Sequence, residues 1–309
     1  MTKLIQQLTI ISVLLLVFSC TEGKPKNTAT NLDEYKLIIT DDYELHQPNQ
    51  HAEAVLILFG GFPEEAIDIK REFKILDKAK KHKIAIVFSN YNQKLWLEKK
   101  DAKQLATQLQ QIVDSNKLPN EKIYFGGFSS GGNIAMLIGD YLIENSKIEI
   151  NPKGIFIVDS PIDLAELYLS SLNNIAQNFS DVSIQESNWL ISSLGKRFGD
   201  PNEMLSEYEK YSVFTSKTKN ISNIQNLKNI KIRMYSEPDT TWWKENRMTE
   251  YEHTNAYHIK NLSEKLKQND FTNVEYITTK KRGYRANGER HPHSWAIVET
   301  EELIDWILK

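Results

Sequence analysis

Five consecutive residues, Gly127-Phe128-Ser129-Ser130-Gly131, carry the spacing G-x-S-x-G. A pentapeptide this short recurs by chance, so its surroundings decide its meaning. An apolar run, Ile123-Tyr124-Phe125, leads straight into it, and a helix-forming run, Asn133-Ile134-Ala135-Met136-Leu137, leads away. A serine on a sharp strand-to-helix turn has its hydroxyl thrust clear of the sheet, where it can act as a nucleophile. Side chains two residues to either side of that serine would collide, and glycine removes the collision. This requirement chooses between the adjacent serines. With Ser129 as nucleophile the crowded positions are Gly127 and Gly131, whereas with Ser130 one of them would be Phe128. Ser129 is the expected nucleophile.

Such a turn needs a sheet to hold it. Apolar, β-rich runs fall at residues 35–39, 54–59, 84–88, 122–126, 154–158, 230–235 and 274–278. Helical patterns alternate with them, as in βαβ units built on a mostly parallel sheet. The central runs are almost continuously apolar, as strands covered on both faces should be. Leu105, Leu109, Ile112 and Val113 mark a helix over 101–118, ended by Pro119; a second spans 133–142 and a third 294–309. Roughly seventy residues separate the runs at 154–158 and 230–235, against a usual connection of a few to a dozen residues. Leu164, Leu167, Tyr168, Leu172 and Ile175 fit one amphipathic helix there, and Trp189, Leu190 and Leu194 another. Residues 160–215 therefore read as a helical insertion over the edge of the sheet.

The segment from about residue 34 to 309 resembles the α/β-hydrolase superfamily, with Gly127-Phe128-Ser129-Ser130-Gly131 as its nucleophile elbow. The resemblance implies acyl transfer to water without a cofactor, most simply on carboxylic esters, and makes 160–215 the cap. It implies an oxyanion hole of backbone N–H groups: that of Ser130, and that of Gly61 or Phe62 in the glycine turn after residues 54–59. It places the acid just beyond 230–235, where Asp239 is favoured over Glu237, with Asp159 and Asp163 as outside candidates. The histidine belongs in the loop before the final helix. There His293-Ser294-Trp295 fits the family pattern better than His291, which precedes a proline. Trp242 and Trp243 are candidates to line the mouth of the site. As two metal ligands, His291 and His293 would lack a third at ligand spacing, so no metal is expected. A peptidase of the same fold would use the same triad, and a surface binding protein could keep the fold without the chemistry; the intact serine, acid and histidine favour the hydrolase.

The first twenty residues have a separate purpose. Lys3 precedes an apolar run over 10–18, too short to span a bilayer, and Ser19-Cys20 follows. Val17-Phe18-Ser19-Cys20 resembles the lipobox of bacterial lipoproteins. That implies a signal peptide over 1–19, acylation of Cys20, and a cell-envelope location with a lipid bilayer as partner. Residues 20–33 read as a polar tether. Cys20 is the sole cysteine, so the body holds no disulfide. A net charge of -3 with interspersed signs lacks the basic face that a nucleic-acid partner would require.

Overall fold

The computed structural model describes residues 35–91, 94–145 and 147–309. The expected signal peptide, lipidated Cys20 and tether lie outside the described residues.

Eight strands make one sheet: β1 (Tyr35–Ile39), β2 (Tyr43–Pro48), β3 (Ala54–Phe59), β4 (Ile84–Ser89), β5 (Ile123–Phe128), β6 (Pro152–Val158), β7 (Lys231–Ser236) and β8 (Val274–Thr278). Their spatial order is β1-β2-β4-β3-β5-β6-β7-β8. The β1–β2 and β2–β4 pairs are antiparallel, and every other neighbouring pair is parallel. Side chains alternate faces along a strand. Hence Val55, Ile57 and Phe59 of β3 enter one apolar core while Ala54, Leu56 and Leu58 enter the other.

Helices seal both faces. On one, α1 (Ala66–Glu72), α2 (Leu76–Lys81) and α10 (Thr300–Leu308) contribute Ile69, Ala79 and Leu303. On the other, α3 (Lys99–Ser115), α4 (Ser130–Glu144) and α9 (Asn255–Gln268) contribute Leu105, Ile134 and Leu262. With every residue of β3, β4 and β5 buried, the middle of the sheet is fixed on both sides.

Three helices, α5 (Leu164–Gln177), α6 (Asp181–Phe198) and α7 (Pro201–Glu209), fill the long interval between β6 and β7. Their own small core joins Leu164, Leu190, Leu194, Phe198 and Tyr208. Because β6 and β7 are inner neighbours, this insertion rises from within the sheet and not from a lateral edge. A short helix, α8 (Thr240–Arg247), follows β7.

Two elements depart from the sequence expectation. β2 bears inward-facing Glu44 and His46, whose side chains meet at 2.6 Å, with Lys70 reaching Glu44 at 2.6 Å. The three polar groups satisfy one another near the sheet margin, so a polar segment can form a strand. The last helix starts at Thr300, not 294; Ser294 instead caps a 3-10 turn over Trp295–Ile297 through its hydroxyl, which accepts the Ala296 N–H at 3.1 Å.

Candidate active site

Ser129 lies between β5 and α4 with φ 74° and ψ -121°, a conformation that costs a side-chain-bearing residue about 1–3 kcal/mol. The flanking glycines permit it. A Cβ on Gly127 would stand 2.1 Å from the Gly131 carbonyl oxygen, and one on Gly131 would stand 2.3 Å from that of Phe59.

His293 joins Ser129 to a carboxylate. Its Nε2 lies 3.1 Å from the Ser129 Oγ, and its Nδ1 lies 2.7 Å from Oδ2 of Asp159. The ring is packed against Phe128, centroid to centroid 4.5 Å, and Phe128 in turn meets the buried Trp295 at 5.4 Å. Asp159 follows β6 with φ 43°, its N–H donating to the Tyr235 carbonyl and its own carbonyl accepting from Asn255. The carboxylate is thus fixed from both neighbouring elements.

Asp239, the favoured acid, does not meet His293. One oxygen caps α8 by accepting the Trp242 N–H at 3.1 Å, and the other takes Arg290 at 2.7 Å. The reason is strand order. Asp159 follows β6, the immediate neighbour of β5, whereas Asp239 follows β7, one strand further away. Nor do the remaining acid candidates reach the histidine. Asp163 caps α5 and accepts the Ser216 N–H at 2.6 Å. Glu237, 2% exposed, gathers the histidine-bearing loop: it accepts from the Thr279 hydroxyl, the N–H groups of Arg282 and Gly283, and the Arg290 guanidinium.

His291 supports the loop. Its Nδ1 accepts the His293 N–H at 3.2 Å, and its ring lies 4.7 Å from that of Trp242. Burial, reinforced by the nearby cations Arg285, Arg247 and Arg290, holds the His291 imidazole down to about 3. It is neutral at ordinary pH and suited to accept that N–H. Trp243 lines the cavity at Ser129, and Trp242 sits behind it against His291.

The glycine turn after β3 approaches the nucleophile closely: a Cβ on Gly61 would lie 3.0 Å from that of Ser129. Each candidate donor there has an acceptor. Gly61 N–H donates to Glu64 Oε2 at 2.9 Å, and Phe62 N–H donates to Ser130 Oγ at 2.9 Å. Ser130 is the first residue of α4, so its N–H has no partner within the helix. The sequence reading gave Ser130 only a backbone part; its hydroxyl also holds the Phe62 N–H. Glu64 is a second residue that sequence did not single out. It takes the Trp295 indole N–H at 3.1 Å as well, and burial raises its carboxyl above the ordinary range.

A cavity of about 630 Å³ opens on Ser129 and His293, walled by Leu167 of α5, Trp189 and Leu190 of α6, and the loop bearing Phe62. Phe62 and Trp189 stack at 4.5 Å, joining the glycine turn to the insertion.

No protein-family model and no curated protein sequence matches the chain. Solved structures do. The chain is similar to carboxyl esterase 2 of the fungus Tuber melanosporum, 12% identical with TM-score 0.53, over 90% of this chain and 87% of that one. An esterase/lipase from an uncultured bacterium is 10% identical with TM-score 0.54, over 89% and 86%. Acylaminoacyl peptidase of Pyrococcus horikoshii is 14% identical with TM-score 0.50, over 88% of this chain but only 40% of its own length. Together with the eight-stranded, mostly parallel sheet, these likenesses establish the α/β-hydrolase fold.

Proposed function

We propose that the chain is a serine hydrolase that cleaves carboxylic esters through an acyl-enzyme on Ser129. The observation that carries this reading is the His293 imidazole bridging the Ser129 hydroxyl and the Asp159 carboxylate. In that arrangement Nε2 takes the hydroxyl proton as Oγ attacks the ester carbonyl, and returns it to the departing alcohol. Water then enters with His293 again as base, releasing the acid and freeing Ser129. Asp159 holds the ring in the tautomer with hydrogen on Nδ1 and stabilises the imidazolium. The Ser130 N–H, which has no partner within α4, serves the developing oxyanion, and the Phe62 N–H joins it by exchanging its Ser130 Oγ acceptor for the oxyanion; one such donor is worth about 3–4 kcal/mol.

The test is fluorophosphonate labelling followed by an ester series of increasing acyl length. Label on Ser129 and turnover of at least one ester are expected. An unlabelled Ser129 in folded protein would reject the reading.

We also propose attachment to a membrane of the cell envelope through acylated Cys20. The support is its place directly after an apolar run and a small residue.

A further inference from the structure

The chain has seven arginines, all among the described residues, and five of them reach a carboxylate within ion-pair distance: Arg71, Arg197, Arg233, Arg282 and Arg290. The two that do not, Arg247 and Arg285, both line the cavity at Ser129. They come from different elements, α8 and the loop leading to His291. Each stands one side chain from His293. Arg285 lies over the Phe128 ring at 5.6 Å, the ring that packs His293, and Arg247 lies 3.4 Å from Nε2 of His291. A weakly hydrated guanidinium usually finds a carboxylate or phosphate, with which it forms paired hydrogen bonds.

We propose that Arg247 and Arg285 bind an anionic group, of the carboxylate class, carried by the substrate on its leaving-group side. This rests on the hydrolase reading above and names the substrate class for the same site. Three observations bear on it. His293 protonates the leaving group, so groups ranged beside His293 flank that half of the substrate. The insertion helices contribute apolar Leu167, Trp189 and Leu190 to the lining, suited to an uncharged acyl portion. One carboxylate, the exposed Glu186 of α6, also lines the cavity; against two arginines it leaves the cavity lining positive.

The experiment compares phenyl acetate with 4-acetoxybenzoate, esters of similar size that differ by one carboxylate on the leaving group. Expected for the full chain is a kcat/KM favouring 4-acetoxybenzoate by roughly tenfold or more, a preference that shrinks as salt screens the charges. Arg285→Gln and Arg247→Gln should each lower the ratio of the two kcat/KM values, mainly through KM for the anionic ester, and Arg285→Glu should invert it. Lys309→Gln, a charge change at the far C-terminal end, should leave the ratio where it was. A structural role for the arginines would depress both esters alike and leave the ratio unmoved.

A ratio near one in the wild type, or one that the arginine variants do not change, would overturn the proposal while the hydrolase reading stood. A labelled Ser129 that turned over neither ester would overturn it too, since the cavity has room for both. An unreactive Ser129 would remove the hydrolase reading first and this inference with it.

Discussion

The Asp159 carboxylate meets Nδ1 of His293 at 2.7 Å across 134 residues of chain, and both partners are largely withdrawn from solvent. Asp159→Asn presents an amide where the imidazole needs an acceptor, so the ring is driven to the wrong tautomer. We expect kcat to fall by about 10³–10⁴-fold with the fold intact, as for loss of the orienting carboxylate in a serine triad. Asp239→Asn should leave kcat within about threefold and act on stability, by about 1 kcal/mol, through its cap on α8 and its ion pair with Arg290. Ester kinetics with thermal melting of both variants checks the assignment; the reverse pattern would return the acid to Asp239.

Ser129→Ala should abolish fluorophosphonate labelling and reduce turnover by several orders of magnitude. Ser130→Ala keeps its backbone N–H but releases the Phe62 N–H from its side-chain acceptor. A loss of about tenfold or less is expected, most of it in kcat because the glycine turn supplies transition-state contacts. Labelling rates for the two variants, measured side by side, decide whether the elbow is read in the right register.

Acid should weaken the fold before it protonates the common carboxylates. His258 is buried with its Nδ1 beside the Ser216 hydroxyl at 2.8 Å, and burial lowers its pKa to about 4 from an ordinary 6.5. A base with a lowered folded value is bound by fewer protons in the fold than in the unfolded chain between those limits. Its contribution is therefore complete above pH 6.5 and is lost as pH falls toward 4, at no more than about 1.4 kcal/mol per pH unit. His291, held to about 3, adds a contribution of the same sign that extends lower. Urea midpoints measured from pH 7 to 4 should fall accordingly, and His258→Gln should flatten the upper part of that decline. A midpoint insensitive to pH in this range would contradict the burial argument.

Cys20→Ser should block lipid attachment. The variant should accumulate as unprocessed precursor or leave the membrane fraction, which fractionation and mass measurement of the N-terminal peptide would show. Normal processing with full membrane retention would exclude Cys20 as the anchor.

The nucleophile could be read from the chain because the constraint on it is local: Gly127 and Gly131 lie within two residues of Ser129, and their need is steric. The acid could not be read so directly. Asp159 and Asp239 each follow a run of strand-forming residues, and each lies in the connection from a strand to a helix. Only the order of strands in space separates them, and order is a property of the assembled sheet. The residues holding the site fared similarly. Glu64 and Glu237 act by accepting backbone N–H groups from segments they meet only in the folded chain. β2 escaped for a different reason, since its buried Glu44 and His46 break the apolar alternation that announces a strand. The core strands β3, β4 and β5 were legible because burial on both faces makes them almost wholly apolar, Ser89 at the end of β4 excepted.

Ser129 and Asp159 occupy the carboxyl ends of neighbouring strands, and both have positive φ. Of the nine described non-glycine residues with positive φ, these two belong to the proposed triad. Natural selection for persistence alone would favour glycine at the first of them. Ser129→Gly should melt above Ser129→Ala, because only glycine adopts φ 74° and ψ -121° without steric cost. The difference between those two inert variants measures, in degrees, the durability that the chain forgoes to keep a hydroxyl at the tip of its sharpest bend.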